Sequence, residues 1–313
     1  MKVAVLDDYQ NVALSLADWD SLHAQVDVCS EPFSDEAEVI AALADYDVIV
    51  AMRERTPFPS STLGRLPKLA LLVTTGPGNA AVDVDAAQRL NITVSGTGYF
   101  SHSTAELTWG LILSAARLIP QNVESVRRGG WQVGLGTSLH HATLGVLGLG
   151  RLGTRVAEIG KAFGMRTIAW SQNLRPEDAR AKGMTYVSRD ELFARSDVLS
   201  IHVVLSERTR GLVGERELRL MKPTAILVNT SRGPVIDEAA LLDALDEERI
   251  AGAALDVFDR EPLPAEHPLR SMHNAVVTPH IGYVSRDLYE VFYREAVEDI
   301  AAWAAGSPLR TLT

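Results

Sequence analysis

Four residues of types that move protons or bind anions sit at or just beyond short apolar runs. Arg232 follows the run Ala225–Asn229, Asp256 follows Gly252–Leu255 with Glu261 on the loop beyond it, and His280 follows Ala275–Thr278. Together they are what hydride transfer to a 2-keto acid requires. A hydride arriving at the keto carbon must be matched by a proton on the oxygen, and a histidine supplies one near neutral pH. A carboxylate beside the imidazole fixes its tautomer and favours its charged form. A guanidinium binds the substrate carboxylate through two parallel N–H bonds and polarises the carbonyl. Arg232, Glu261 and His280 are therefore the candidate catalytic set, with Asp256 and Thr230 as candidate cofactor contacts. Each alone is more often a surface ion pair, a turn or a helix cap. The set, repeated at successive strand ends, is what points to this chemistry.

A carrier for the hydride is suggested by the stretch Thr143–Gly153, TLGVLGLGRLG, in which an apolar strand runs into G-x-G-x-x-G. Leu152, Val156, Ile159 and Phe163 then recur at helical spacing. In such a turn Gly148 allows the tight bend, Gly150 lets backbone approach a pyrophosphate, and Gly153 lets helix and strand pack closely. The helix start, with Arg151 and Leu152, offers free N–H groups and a positive dipole end to the phosphates. The next strand ends at Ser171, where an acid would grip the ribose hydroxyls of NAD. Ser171, Gln172, Asn173 and Arg175 stand there instead. That neutral end beside one cation leans the cofactor expectation toward NADP, or use of both NAD and NADP.

These residues must be positioned by alternating strands and helices. Val/Ile/Leu-rich runs at Lys2–Asp7, Val26–Cys29, Val48–Met52, Leu69–Thr74 and Ile92–Ser95 predict one parallel sheet. A second series runs from Leu144–Leu147 through Thr167–Trp170, Thr185–Val187, Val198–Val203, Ala225–Asn229 and Gly252–Leu255 to Ala275–Thr278. Helical spacing joins the two from Ser103 to about Arg117, where Pro120 is expected to stop it. A final helix, Ser285–Trp303, could return to the first unit. In parallel sheets ligands bind at the carboxyl ends of strands, so the strand-end residues share one edge with the glycine turn.

Composition narrows the class. The chain has 313 residues, roughly two domains' worth, with 46% hydrophobic and 22% charged residues. Acidic residues exceed basic ones by 40 to 30, a net charge of −10. That disfavours nucleic acid or an anionic membrane as partner. Cys29 is the only cysteine, so neither an intrachain disulfide nor a cysteine metal cluster is expected. The early acids exclude a signal peptide and no apolar stretch reaches about 18 residues, so a cytoplasmic protein without a membrane span is expected.

The ordered stretches LGVLGLGRLG, LVNTSRG, AALDVFDREP and TPHIG resemble the D-isomer-specific 2-hydroxyacid dehydrogenases across nearly the whole chain. The resemblance implies an α/β architecture of two Rossmann-like doubly wound parallel-sheet domains with a cleft between them. It implies a discontinuous substrate domain at 1–100 plus 286–313, a dinucleotide-binding domain at 101–285, and a homodimer. Carried over residue by residue, it assigns catalysis to Arg232, Glu261 and His280, a nicotinamide contact to Asp256, and a cofactor-side position to Thr104. The wall near the nicotinamide reads His202-Val203-Val204-Leu205, where the family commonly has histidine-proline-leucine, so Val204 joins the cofactor candidates. Another departure lies at Thr75–Asp83: the family's Asp-Asn pair falls on Ala80-Ala81, and Pro77 has no N–H to give a substrate carboxylate. Gly78, Asn79 and Arg53 become the substrate-binding candidates beside Arg232. The length leaves no room for the regulatory domain of extended phosphoglycerate dehydrogenases, and Glu261 speaks against formate dehydrogenases. The neutral Ser171 end resembles glyoxylate and hydroxypyruvate reductases. A dinucleotide-sensing corepressor on the same fold is the competing reading, one that has no need of the acid–base groups.

Overall fold

The computed structural model describes all residues, 1–313, as two compact units. The first comprises Met1–Phe100 and Val284–Thr313, the second Ser101–Tyr283. No helix is long and apolar enough to cross a membrane.

The first unit is built on five parallel strands, β1 (Lys2–Val5), β2 (Gln25–Val28), β3 (Val48–Ala51), β4 (Leu71–Thr74) and β5 (Thr93–Gly96), in the order β2-β1-β3-β4-β5. β3 and β4 are buried throughout, as their unbroken apolar runs require of strands covered on both faces. Helices begin where short acidic side chains can satisfy their open amides: Asp35 accepts from Glu38, and Asp83 from Ala86. The final helix, Arg286–Ala304, buries Leu288, Phe292, Tyr293 and Ile300 in this unit. The chain end then pairs with the β5 edge, through Leu312 N–H to Val94 and Gly96 N–H to Arg310. Pairing that edge removes an open row of backbone groups.

The second unit holds seven parallel strands: β6 (Thr143–Leu147), β7 (Arg166–Trp170), β8 (Thr185–Tyr186), β9 (Val198–Ile201), β10 (Ile226–Asn229), β11 (Gly252–Leu255) and β12 (Ala275–Val277). Their order is β12-β11-β10-β9-β6-β7-β8. From β6 the chain winds outward to β8, then resumes on the other side with β9. The turn after β6 is therefore at the point of topological reversal, where doubly wound sheets bind ligands. Register carries this further. Leu147 pairs with Ile201, Ile201 with Asn229, Asn229 with Leu255, and Leu255 with Val277. The residues immediately following, including Gly148, Thr230, Asp256 and Thr278, leave the sheet at one level along one edge. Two apolar clusters cover the faces, one around Phe193, Leu227 and Leu245, the other around Trp109, Leu144 and Val156. Each fully buried Leu or Ile in them contributes about 1.5–3 kcal/mol relative to exposure.

Two local expectations are corrected. Pro120 does not end helical structure. His102–Ala116 stops, and a new helix, Ile119–Arg127, begins with the proline in its first turn. There the missing N–H costs nothing and the fixed φ is already helical. Second, β9 ends at Ile201, short of Val203, as the chain turns away at His202.

Candidate active site

The glycine turn is built for close approach. Gly148 has φ +99°, and a Cβ there would sit 2.6 Å from the His202 carbonyl oxygen. A Cβ on Gly153 would lie 2.1 Å from the Gly148 oxygen, so helix and turn touch backbone to backbone. Gly150 caps the helix Arg151–Ala162 without any side-chain hydrogen bond, and the space off its Cα is open. The first amides of that helix, among them those of Arg151 and Leu152, are left for an anionic ligand. A pyrophosphate fits this cradle.

At the end of β7, Ser171 is half-buried and Gln172 and Asn173 are exposed, with no carboxylate among them. Arg175 differs from the sequence expectation of a cation waiting for a phosphate. Its Nε and Nη2 bind both oxygens of Asp178, at 2.8 and 3.1 Å, within the first turn of the next helix.

Glu261 and His280 meet on the loops after β11 and β12, and Arg232 stands on the loop after β10. Glu261 Oε2 lies 2.5 Å from His280 Nδ1, while Oε1 accepts from the Phe258 N–H at 2.9 Å. One carboxylate is thus fixed at both oxygens. Since a carboxylate accepts, Nδ1 carries the proton toward Glu261 and Nε2 is left for chemistry. His280 has φ +54°, an uncommon conformation for a non-glycine residue. It is held there by Asp256, which is 1% exposed. Asp256 Oδ1 accepts from the Thr278 hydroxyl at 2.6 Å and the Ile281 N–H at 2.8 Å, and Oδ2 accepts from the Gly282 N–H at 2.8 Å. Burial raises the Asp256 pKa, while the three hydrogen bonds and the nearby His280 charge oppose the rise. The resemblance assigns Asp256 to the nicotinamide. In the structure three of its acceptor positions serve the histidine loop.

Arg232 is tied to the same framework by Gly233. A Cβ at Gly233 would stand 2.0 Å from the Phe258 carbonyl carbon, so the Arg232 loop packs directly on the backbone that orients Glu261. Thr230 is buried, its hydroxyl 2.9 Å from that of Thr108, which in turn donates to the Thr104 carbonyl. The methyl of Thr104 lies beside Gly282, where an added Cβ would stand 3.2 Å from it. Thr104 and Thr230 therefore back the same edge as Asp256. Val204, on the loop after β9, is 84% exposed.

The first unit carries the remaining candidates. Arg53 has φ +53°, and its Nη1 donates to the Thr75 carbonyl at 3.0 Å. The backbone amides of Gly78 and Asn79 donate to no protein acceptor, so they are available to an anion. The Asn79 side chain, by contrast, points inward: Nδ2 donates to the Arg53 carbonyl at 2.6 Å and to Thr74 Oγ1 at 2.9 Å.

Comparison with known proteins decides the family. Residues 109–282 match the NAD-binding domain of the D-isomer-specific 2-hydroxyacid dehydrogenases. The chain belongs to this family. Glyoxylate reductase of Aeropyrum pernix is 45% identical to it over 254 residues, covering 78% of this chain and 76% of that one. The phosphoglycerate oxidoreductase of Vibrio cholerae superposes with a TM-score of 0.94 at 37% identity, covering 98% of this chain and all of that one. An acyclic imino acid reductase solved with NADPH and D-arginine superposes with a TM-score of 0.79 at 28% identity, covering both chains fully. As a family member, the chain is an oxidoreductase that interconverts keto and hydroxy acids with a nicotinamide dinucleotide.

Among residues that sequence reasoning does not single out, Thr278 and Asn229 hold the dehydrogenase site together. Thr278 fixes Asp256, and Asn229 ties down the Arg232 loop. An Asn at a strand end with a small polar residue two positions later is a turn signal that would have found the second.

Proposed function

We propose that this dehydrogenase reduces small 2-keto acids such as glyoxylate or hydroxypyruvate to their D-2-hydroxy acids. The observation that carries the reading is the His280–Glu261 pair, fixed on the edge that also presents Arg232 and the glycine turn. Gly148, Gly150 and Gly153, with the amides of Arg151 and Leu152, would hold the pyrophosphate, and Ser171 would meet the adenine-side ribose. When bound, the reduced dinucleotide supplies the hydride. Arg232 binds the substrate carboxylate and polarises the carbonyl toward attack. His280 Nε2 gives its proton to the carbonyl oxygen as negative charge develops there, and Glu261 stabilises the imidazolium before that transfer. In the oxidative direction the same nitrogen takes the hydroxyl proton. In the first unit, Arg53 and the amides of Gly78 and Asn79 offer donors of the same kind to a substrate anion, Pro77 having none to give.

The neutral end of β7 supports NADPH use, alone or beside NADH, because no carboxylate there would repel a 2′-phosphate. We infer a homodimer too. Trp131 and Leu135 are 75% and 96% exposed beyond a helix that exposes Val123 and Val126, a surface suited to a second copy. Light scattering on the eluted protein tests that state. The function is tested by following reduced-nicotinamide absorbance across a panel of 2-keto acids with NADH and NADPH. Turnover of glyoxylate or hydroxypyruvate is expected. Cofactor binding without turnover of any 2-keto acid would overturn it.

A further inference from the structure

Both units use the same device to fix an arginine. At the end of β10, Asn229 is fully buried. Its Oδ1 accepts from the Ser231 N–H at 3.0 Å and the Ser231 hydroxyl at 2.9 Å, and its Nδ2 donates to the Arg232 carbonyl at 2.9 Å. In the first unit, Asn79 Oδ1 accepts from the Ala81 N–H at 2.9 Å, again two residues on, and Nδ2 donates to the Arg53 carbonyl at 2.6 Å. Two buried carboxamides, one ending β10 and one on the loop after β4, thus make the same pair of bonds, ending each time on the main chain of a candidate substrate-binding arginine.

We propose that Asn229 is the positioning residue for Arg232, and Asn79 for Arg53, acting through their backbone carbonyls. This rests on the reading of those arginines as substrate-binding groups. The chemistry requires an amide. One side chain must accept from a main-chain N–H two residues away and donate to a carbonyl, and of the short side chains that fit this turn only asparagine does both in one planar group. Aspartate would set an anionic oxygen against the Arg232 carbonyl. Alanine would leave a buried N–H and a buried carbonyl without partners. Arg232 Nη1 donates to the adjacent Ser231 carbonyl at 2.7 Å, a contact within the same turn. With the carboxamide in place, Arg232 leaves the turn extended (φ −147°, ψ 138°).

The test is a double-mutant cycle in the full-length enzyme with glyoxylate. Asn229→Ala is expected to raise KM and to lower kcat/KM about 10–100-fold, the scale of a misplaced binding group. Cofactor Kd should stay within about twofold. In an Arg232→Ala background the same change should alter kcat/KM less than about threefold, since nothing remains to be positioned. Asn229→Asp gives a second readout. Its protonated carboxyl can donate to the Arg232 carbonyl, so its defect relative to wild type should shrink between pH 8 and pH 5.5. Asn79→Ala should likewise raise KM only while Arg53 is present. Equal losses from Asn229→Ala in both backgrounds, or an unchanged KM, would show a merely structural residue and overturn the proposal. If Arg232→Ala is impaired but Asn229→Ala is not, this inference alone fails. If Arg232→Ala turns over normally, the assignment of Arg232 fails and the inference with it.

Discussion

Asp256 brackets His280, accepting a hydrogen bond from Thr278 on one side of it and from Ile281 and Gly282 on the other. The imidazole is thereby aimed at Glu261 from a left-handed backbone position that the loop would not hold unaided. Asp256→Asn keeps the shape but turns an N–H donor toward at least one of these donors. Expected is a fall in kcat of about 10²-fold, the scale of a displaced catalytic group, with the cofactor still bound. Steady-state kinetics beside fluorescence titration of NADPH would check it. A variant with full kcat would mean that the bracket does not set the histidine.

The Gly233–Phe258 contact ties the arginine to the acid–base pair. Gly233→Ala places a methyl 2.0 Å from a backbone carbon, where no flexible side chain can yield. Chemical denaturation is expected to show a loss of about 1–3 kcal/mol, with kcat/KM reduced in the protein that remains folded. Unchanged stability would contradict the packing described.

Cofactor choice turns on Ser171. Ser171→Asp introduces the carboxylate that the end of β7 lacks, which grips ribose hydroxyls and repels a 2′-phosphate. The ratio of kcat/KM for NADPH to that for NADH should fall at least about tenfold, the scale of one strong hydrogen bond or charge contact. A ratio that does not move would place the adenine-side ribose elsewhere.

Stability should carry a pH signature from the first unit. Asp299 is fully buried, and burial holds its carboxyl at about 7. The Arg310 guanidinium, 2.9 Å away, opposes the rise, and Glu295 and Glu298 add to it. The unfolded chain titrates this group near about 3.9. The folded protein therefore binds the proton more tightly, and the stability linked to it is lost as pH rises from about 4 through about 7. Thermal unfolding at pH 5 and pH 8 is expected to show the Asp299→Asn variant gaining on wild type at the higher pH. A constant difference would remove Asp299 as the source.

Much of this was legible from residue order. The runs rich in Val, Ile and Leu fell on the twelve strands, and the central ones, β3, β4, β9 and β10, are buried throughout, as parallel strands covered on both faces must be. The residues just past Asn229, Leu255 and Val277 were readable as a group because parallel register keeps strand ends level. What spacing did not reveal was which polar side chains turn inward. Asn79 stood among the substrate candidates through its backbone amide, and that its carboxamide turns inward to Arg53 and Thr74 was not readable. Arg175 read as an available cation, yet Asp178, three residues on, binds both arms of its fork. Asp256 read as a cofactor contact, yet most of its acceptor capacity holds a loop distant in sequence. Each of these depends on tertiary partners whose distance no periodicity encodes. Pro120 shows the converse, a local signal with two meanings, stop or start, that only the chain's path resolves.

The most direct measurement is the rate of the hydride step in His280→Ala. Stopped-flow oxidation of bound NADPH at saturating glyoxylate isolates that step from release. With Nε2 gone, the developing alkoxide has no proton donor, and the step should slow about 10²–10⁴-fold while cofactor Kd is unchanged. A rate equal to wild type would mean that proton and hydride delivery are not paired through His280 and would contradict the account.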